Sequence, residues 1–516
     1  MVTALYRFLA TASFPNDEHE YLAGAQQILL AGEWPTRDFF DPGRPLMYVA
    51  SAAAQILFGH TLLAEAVLTS VAFGIAAALV LIAAHRLSTS LIVAVIATLL
   101  CVALFPRPYA YPKILLYAAG PLVMWAWLAK PTFGRVSVMA AVVVIAFLLR
   151  HDHGVYLGGA VAATILLAPA PGSRERLARL ATFGALVVVL VLPYIIYVET
   201  SEGLGNFLRA ASAYSSREAD RTALRLEDIG WGHDARLFYG YYLLPIAMLA
   251  CFAIDWRRHR RVEPAVVVPL AALALVINVG FLRDPLAVRL PDAAVLPALC
   301  GAWLAGRGLQ ASTRWRRVTT VGLLAIVTAL ATSSIVIVGN VSENLNRTDL
   351  GRGLSYAPTV LRQRTAGLQE RFALRHVPSD RVRALVPFFE YLDRCTTVEH
   401  RLFVAGYVPE LFTYARRLFA GGHGQFIQGY QVSAAAQRRV VERMERQFVL
   451  FALMLSDEER QWRAESVTVD TFIRTNFEPM AEIPLGDNGT MRVLVRIGAD
   501  AVRTGTDKTT GWACYR

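Results

Sequence analysis

The chain has 516 residues, of which 55% are hydrophobic and only 18% are charged. This composition is more apolar than the roughly 45–50% expected of a soluble domain, so it excludes a purely water-soluble protein. The formal charge is +11 at pH 7. Much of that excess lies in short loops between apolar segments, as in residues 256 to 261. Such a pattern is typical of cytoplasmic loops and argues against a nucleic-acid partner.

Repeated apolar segments between residues 45 and 340 are long enough to cross the ~30 Å core of a bilayer. The polar sequence from Arg150 to His153 separates two short segments and predicts a loop. The apolar segment from Val2 to Phe14 is too short for a full span. It is either a half-span packed against its neighbours or the end of a helix that starts upstream. We predict about eleven membrane helices, counting this one, and place the others near residues 61 to 83, 90 to 105, 112 to 129, 136 to 149, 155 to 169, 178 to 198, 236 to 254, 263 to 282, 292 to 309 and 317 to 340.

Arginine clusters predict on which side of the membrane each loop lies. If residues 84 to 89 are cytoplasmic, strict alternation places the other arginine-rich loops on the same side. The loop of residues 15 to 44 and all residues after 340 are then extracytoplasmic. We therefore predict a multi-pass protein of the inner or plasma membrane, with a membrane domain at 1–340 and an extracytoplasmic domain at 341–516.

The C-terminal residues alternate between helix-like and strand-like stretches, which predicts a small α/β domain. The predicted strands are Arg401 to Val404, Phe448 to Leu455 and Met491 to Val495. The glycine-rich sequence from Gly421 to Gly424 matches no nucleotide-binding fingerprint and predicts a turn. Two of the five cysteines, Cys395 and Cys514, lie in this domain. They are candidates for a disulfide if the domain is in an oxidising compartment.

The first outer loop, residues 15 to 44, is dense in carboxylates and opens with Asp17 and Glu18. Apolar residues at helical spacing after Asp17 predict an amphipathic helix that lies at the membrane surface. In one interpretation Asp17 is an N-cap, with Glu20 completing a capping box. In the other it is a general base, because glycosyl transfer to a hydroxyl needs a carboxylate within hydrogen-bond reach. The two interpretations are compatible, and Glu18 is the second catalytic candidate.

Positive charges recur at the outer ends of the predicted spans, and the main candidates are Lys113, Arg150, Arg283 and Arg289. Each alone is typical of a residue that snorkels to the membrane interface. Several of them around one outer cavity would instead bind a lipid-linked phosphate, because guanidinium and ammonium groups donate charge-assisted hydrogen bonds to phosphate oxygens. The sequence does not show whether they converge.

The sequence His151-Asp152-His153 contains residue types that bind metal ions. Adjacent side chains diverge, however, and the sequence identifies no further ligands. We therefore predict no specific metal site, leave a divalent ion open and assign no other cofactor. Asp152, together with Asp38 and Asp41 in the first loop, is a candidate for acceptor binding or a second acidic site.

At these residues the chain resembles GT-C glycosyltransferases that use polyprenyl-phosphate sugars, among them the protein mannosyltransferase and aminoarabinose transferase relatives. The resemblance rests on Asp17-Glu18, on residues 32 to 40 (Gly-Glu-Trp-Pro-Thr-Arg-Asp-Phe-Phe) and on the overall topology. It implies an inverting transfer in which Asp17 deprotonates an acceptor hydroxyl and outer basic residues stabilise the departing phosphate. Lys113 and Arg289 are the best matches in this sequence to the family's phosphate-binding positions. Residues 41 to 45 depart from the family, since several relatives have a histidine there.

Three other functions are compatible with a polytopic chain: a transporter or flippase of lipid-linked glycans, an O-antigen ligase or polymerase, and a structural protein with a decayed active site. No internal repeat is found and few charges lie inside the spans, which argues against a transporter. The predicted partners are a polyprenyl-phosphate-linked sugar, the bilayer and an acceptor that is a lipid, a polysaccharide or a protein. The sequence does not identify the sugar or choose among these acceptors.

Overall fold

The computed structural model describes residues 1–11, 14, 16–170, 172–222, 233–259, 264–282, 290–311, 313–370, 380–424, 426, 433–456, 459–486 and 489–515. Nine of the ten apolar segments predicted to span the membrane each correspond to one helix, with differences of a few residues at the ends, and the segment 292 to 309 covers two helices that meet at Ala294. The helices up to residue 348 are α1 (Val2–Ala10), α2 (Asn16–Ala31), α3 (Pro45–Phe58), α4 (Leu62–Ser88), α5 (Leu91–Ala103), α6 (Tyr111–Ala129), α7 (Phe133–Leu149), α8 (His151–Leu167), α9 (Ser173–Ser201), α10 (Leu204–Thr222), α11 (His233–His259), α12 (Pro264–Leu282), α13 (Leu290–Ala293), α14 (Val295–Leu309), α15 (Arg314–Ile337) and α16 (Val341–Thr348).

The chain forms two compact units, each built from separate stretches of sequence. Unit 1 comprises Met1–Ala10, Val67–Tyr197 and Glu218–Val360, and unit 2 comprises Thr11–Ala66, Val198–Arg217 and Leu361–Arg516. The first predicted outer loop thus packs in one unit with the C-terminal residues. The predicted boundary at residue 340 between a membrane domain and an extracytoplasmic domain stays a prediction.

Several helices have the length and surface of membrane spans. Among the described residues, α4, the helical stretch Pro108–Ala129 and α9 are long and apolar enough to cross a bilayer. Helix α5 is shorter, but it exposes Ile92, Ile96 and Leu99 at helical spacing and buries Ala94, Ala97 and Cys101 on the opposite face. A continuous apolar face of this kind is costly in water and suits the interior of a bilayer.

Two local predictions are corrected. Residues 151 to 154 do not form a loop, because α7 ends at Leu149 and α8 begins at His151. The Asp152 carboxylate accepts a hydrogen bond from the His153 N–H (2.9 Å), and a carboxylate in the first turn of a helix interacts favourably with the helix dipole. In addition, α3 is an apolar helix that the predicted spans did not include.

The C-terminal residues fold into the predicted combination of helices and a small sheet. The sheet has the strand order β1-β2-β4-β3, with β1 and β2 parallel and the other pairs antiparallel. Its core contains Phe403, Phe426 and Trp462. The elements are α17 (Ala357–Gln369), α18 (Asp380–Ala384), α19 (Val386–Cys395), β1 (Arg401–Ala405), α20 (Glu410–Ala415), α21 (Ala434–Arg446), β2 (Val449–Leu455), α22 (Glu459–Glu465), α23 (Val467–Asn476), β3 (Phe477–Pro484), β4 (Thr490–Arg496), β5 (Arg503–Thr506) and β6 (Ala513–Tyr515).

Cys395 and Cys514 form a disulfide across 119 residues of sequence, with their Cα atoms 4.3 Å apart. It joins the end of α19 to β6. Beside it, Arg394 donates two hydrogen bonds of 3.0 Å to the carboxylate of Asp507. The last residues of the described chain are therefore attached to α19 by a covalent bond and an ion pair.

The predicted turn at Gly421 and Gly422 is present, and both residues have positive φ angles. A Cβ atom at Gly422 would clash with the Arg443 guanidinium and lie 2.8 Å from the Asp38 carbonyl oxygen. We expect Gly422→Ala to lower the free energy of unfolding by about 1–3 kcal/mol, from backbone strain together with overpacking. Gly486→Ala is the matched control, because Gly486 also has a positive φ but nothing lies within 4 Å of its Cβ position. Equal shifts in denaturation midpoint for the two variants would contradict the steric part of this prediction.

Candidate active site

The acidic candidate Asp17 lies in the first turn of α2 and is partly exposed. Its Oδ1 atom accepts a hydrogen bond from the Tyr407 hydroxyl. Burial, and then the negative charge of Asp17, raise the pKa of Tyr407, so this phenol remains a donor at neutral pH. The carboxylate is therefore oriented by a neutral donor and keeps further lone pairs for another hydroxyl.

The connection between β1 and α20 positions Tyr407 and Glu410. The strand ends at Ala405, Gly406 takes a φ of 133°, and α20 begins at Glu410. Both side chains thus follow the carboxyl end of a strand in a parallel pair, where α/β folds commonly place binding residues. Helix α20 packs against α2, with the rings of His19 and Tyr414 5.4 Å apart.

Glu410 is a buried acid near Asp17. Its side chain is 1% exposed, and its Oε2 has no hydrogen-bond partner among the described residues. Burial raises the pKa of Glu410 to about 7; its own backbone N–H and the Arg381 charge oppose this shift, while the Asp17 charge adds to it. Glu410 is therefore partly protonated at neutral pH, and this acidic group was not found from the sequence.

Glu410 should make stability depend on pH. The folded-state pKa lies above the unfolded value of about 4.5, so the folded state binds more protons between these two values, and stability falls as pH rises from about 4.5 through about 7. The slope from one such group is at most about 1.4 kcal/mol per pH unit. We expect Glu410→Gln to remove this fall in stability, as measured by unfolding curves between pH 4 and 8. A wild type and a variant with parallel pH profiles would contradict it.

Glu18, the second catalytic candidate, is fully buried. The carboxyl group of Glu65 lies beside it, and Glu65 Oε2 accepts a hydrogen bond from the Ser51 hydroxyl at 2.8 Å. In this structure Glu18 joins α2 to the start of α4 and is enclosed by protein.

The prediction that α2 is an amphipathic surface helix is wrong, although the helix itself is present. From Glu18 to Gln27 the residues are buried on all sides, including the polar Glu18, His19 and Gln27. The Gln27 amide donates to the Phe419 carbonyl oxygen at 3.0 Å, and Glu33 pairs with Arg401 at 2.8 Å. Contacts from the C-terminal residues cover the helix, and these are not visible in its local pattern.

Arg44 links several groups in the first segment. Its guanidinium donates to the hydroxyl groups of Tyr21 and Tyr214 and lies 3.9 Å from the Glu20 carboxylate. The turn before it is held by Asp41, whose Oδ1 accepts from the Gly43 and Arg44 N–H groups at 2.9 and 2.7 Å. Burial raises the pKa of Asp41 to about 6. Asp41 therefore positions Arg44.

Asp38, the other acidic candidate in this segment, lies in a tight turn. Its Oδ2 accepts hydrogen bonds from the Trp34 N–H (2.8 Å) and from the Arg37 Nε (2.7 Å). The side chain retains about a third of its exposure, at 29%. This carboxylate fixes the conformation of residues 34 to 38 and also lines a cleft that is described below.

In unit 1, Lys113 and Arg107 share one buried carboxylate. Asp292 Oδ2 lies 2.8 Å from Arg107 Nη2 and 3.4 Å from Lys113 Nζ, and Asp292 is 1% exposed. Arg150 and Asp152 lie within electrostatic range of Lys113. The cluster holds three cations and two carboxylates, so one positive charge is in excess. Asp292 was not recognised in the sequence, because it lies 179 residues from Lys113.

Arg150 pairs with Asp152, at 2.9 Å from Nε to Oδ1. The two histidines beside Asp152 diverge, as predicted for adjacent residues. His151 stacks on Phe147 with ring centroids 4.1 Å apart, whereas His153 hydrogen bonds to Tyr117. Among the described residues, no group of three His, Cys, Asp or Glu side chains is arranged to hold a metal ion. The candidates Arg283 and Arg289 lie outside the described residues.

The predicted architecture, a helical membrane protein with a small C-terminal α/β domain, is confirmed by similarity of fold to a solved structure. The fold is similar to the crystal structure of ArnT from Cupriavidus metallidurans bound to undecaprenyl phosphate, with a TM-score of 0.53, 15% sequence identity and 96% of each chain covered. The apo structure of the same protein gives a TM-score of 0.48, 15% identity and 95% coverage of each chain. No protein-family model matches the chain. No curated protein matches it by sequence.

Proposed function

We propose that this chain is an inverting glycosyltransferase of the membrane that moves a sugar from a polyprenyl-phosphate donor to a hydroxyl group. The observation that carries the proposal is the Asp17 carboxylate, oriented by Tyr407 at the start of α2 beside the buried acid Glu410. An oriented and partly exposed carboxylate is what a general base requires. The GT-C-like fold supports this reaction class.

In the proposed reaction, the acceptor oxygen attacks the anomeric carbon on the face opposite the phosphate. Asp17 takes the acceptor proton as the new C–O bond forms, and the bond between the sugar and the phosphate oxygen breaks. The polyprenyl phosphate leaves as an anion. Asp17 is thus a catalytic residue, and Tyr407 is a positioning residue that acts through it.

We assign binding of the donor phosphate to the unit 1 cations Lys113, Arg107 and Arg150. The single excess positive charge of their cluster suits a phosphate anion, which becomes a better leaving group as its charge is neutralised. The presence of undecaprenyl phosphate in the ArnT crystal structure supports a polyprenyl-phosphate ligand here. By the positive-inside rule, we place transfer on the extracytoplasmic side of the inner or plasma membrane.

The direct test uses the full chain in lipid nanodiscs with a panel of polyprenyl-phosphate sugars carrying a radiolabel in the sugar. We expect release of polyprenyl phosphate together with transfer of label to a cell-envelope acceptor fraction. Lys113→Met should lower the rate by about 10²–10³-fold, as for removal of one electrostatic contact to a reacting group. Lys130→Met, at the other end of α6, is the matched control. Movement of intact labelled lipid between leaflets without transfer would favour a flippase.

A further inference from the structure

Helix α21 presents three arginines, Arg439, Arg443 and Arg446, at the i, i+4, i+7 spacing that places side chains on one face. They line a cleft of about 540 Å³ in unit 2. Arg439 and Arg443 also line an adjoining cavity of about 360 Å³. Both volumes lie within the roughly 300–1,000 Å³ typical of small-molecule sites. The two cavities together are termed the α21 cleft.

Two arginines of the cleft have carboxylate partners, whereas Arg439 and Arg443 have none among the described residues. Arg37 pairs with Asp38, and Arg401 pairs with Glu33. In the part of the chain that the structure describes, neither Arg439 nor Arg443 forms an ion pair with a carboxylate, and Arg443 donates to the Arg37 carbonyl oxygen at 3.1 Å. Burial and then the nearby Arg439 charge lower the pKa of Arg443, while the charges of Asp38, Glu202 and Glu33 oppose this shift. An anion between the two guanidinium groups would relieve this repulsion.

The smaller cavity adds groups that suit a sugar. Phe40 lies between His423 and Tyr214, with ring centroids 5.6 and 5.9 Å apart. Two buried polar atoms in its lining, Asp41 Oδ2 and His423 Nδ1, have no hydrogen-bond partner among the described residues. Burial lowers the pKa of His423 to about 3, so the ring is neutral. Aromatic surface offers packing to the C–H groups of a sugar, and the two polar atoms offer hydrogen bonds to its hydroxyl groups.

We infer that the α21 cleft binds an anionic saccharide, with its phosphate or carboxylate group on Arg439 and Arg443 and its ring beside Phe40, Tyr214 and His423. Bidentate guanidinium recognition applies to both kinds of anion. A lipid headgroup would need only the cations, whereas the aromatic side chains and the unpartnered polar atoms favour a sugar ring. We assign this saccharide as the acceptor of the transfer, and only this assignment rests on the proposed function.

Binding is tested with the full chain in nanodiscs of zwitterionic lipid, by saturation-transfer NMR and calorimetry. The probes are glucose 6-phosphate, glucuronate and uncharged glucose. We expect both anionic probes to bind and uncharged glucose to bind more weakly. Arg439→Gln, and Arg439→Gln combined with Arg443→Gln, should weaken anionic-probe binding by about tenfold or more. Arg438→Gln, at the next residue of the same helix, is the control and should bind like wild type.

Equal binding of the anionic probes by the Arg439→Gln and Arg438→Gln variants would overturn the inference. Binding of anionic phosphatidylglycerol by the chain, without binding of either anionic sugar, would also overturn it. Because Arg439 is exposed, its replacement tests the inference even if the double variant does not fold. Probe binding does not require turnover. If Arg439→Gln binds the anionic probes like wild type and the wild-type chain transfers sugar, only the inference is refuted. If the probes bind as expected but no sugar is transferred, only the proposed function is refuted.

Discussion

Asp17→Asn should abolish most sugar transfer while leaving the fold intact. General-base catalysis contributes about 10²–10⁴-fold to a rate, and an amide cannot accept the acceptor proton, so we expect a loss of that size in kcat. Asn still accepts a hydrogen bond from Tyr407, so the local structure should change little. The measurement is the initial rate of label transfer from a saturating polyprenyl-phosphate sugar, with thermal unfolding measured on the same preparation.

Two further variants separate chemistry from structure. Tyr407→Phe removes the donor that orients Asp17 but keeps the base, so we expect a smaller loss and a shifted pH–rate profile. Asp393→Asn changes an exposed aspartate of the same unit and should leave the rate unchanged. Transfer by Asp17→Asn at the wild-type rate would reduce Asp17 to a residue of the helix N-terminus and move the search for a base to Glu410.

Much of the fold could be predicted from the sequence because the apolar segments are local features. A run of apolar residues about 20 long has few alternatives to a membrane helix, and nine of the ten predicted spans each correspond to one helix. Strand β3 was missed, since Phe477–Pro484 contains prolines and charges that resemble a loop. Its pairing only with β4 explains how an edge strand tolerates Pro479.

The candidate site was only partly predictable, because its contacts join residues far apart in sequence. Asp17 stood out as an acid at a helix start, yet its partner Tyr407 lies 390 residues later. Asp292 was likewise hidden, because it lies 179 residues from Lys113 and stands only at the start of a predicted span. The burial of α2 depended on residues near Phe419. Local patterns show residue type and helix phase, but not which distant side chain neutralises a charge.

Asp292→Asn should destabilise unit 1 by about 3–5 kcal/mol, since it removes the carboxylate shared by two cations in a buried cluster. Asn has nearly the same shape, so the loss reports charge and not packing. Unfolding in mixed micelles with increasing denaturing detergent measures it. The control is Asp349→Asn, which removes an exposed pair with Arg352 and should change stability by less than about 1 kcal/mol.

A double-mutant cycle identifies the cause of this loss. If the penalty of Asp292→Asn arises from leaving Lys113 without its carboxylate, adding Lys113→Met removes the uncompensated charge and restores part of the stability. The two single losses would then sum to more than the loss in the double variant. Additive losses would instead show that the penalty of Asp292→Asn comes from the ion pair with Arg107 alone. Lys113 could then bind a phosphate without first breaking an ion pair with Asp292.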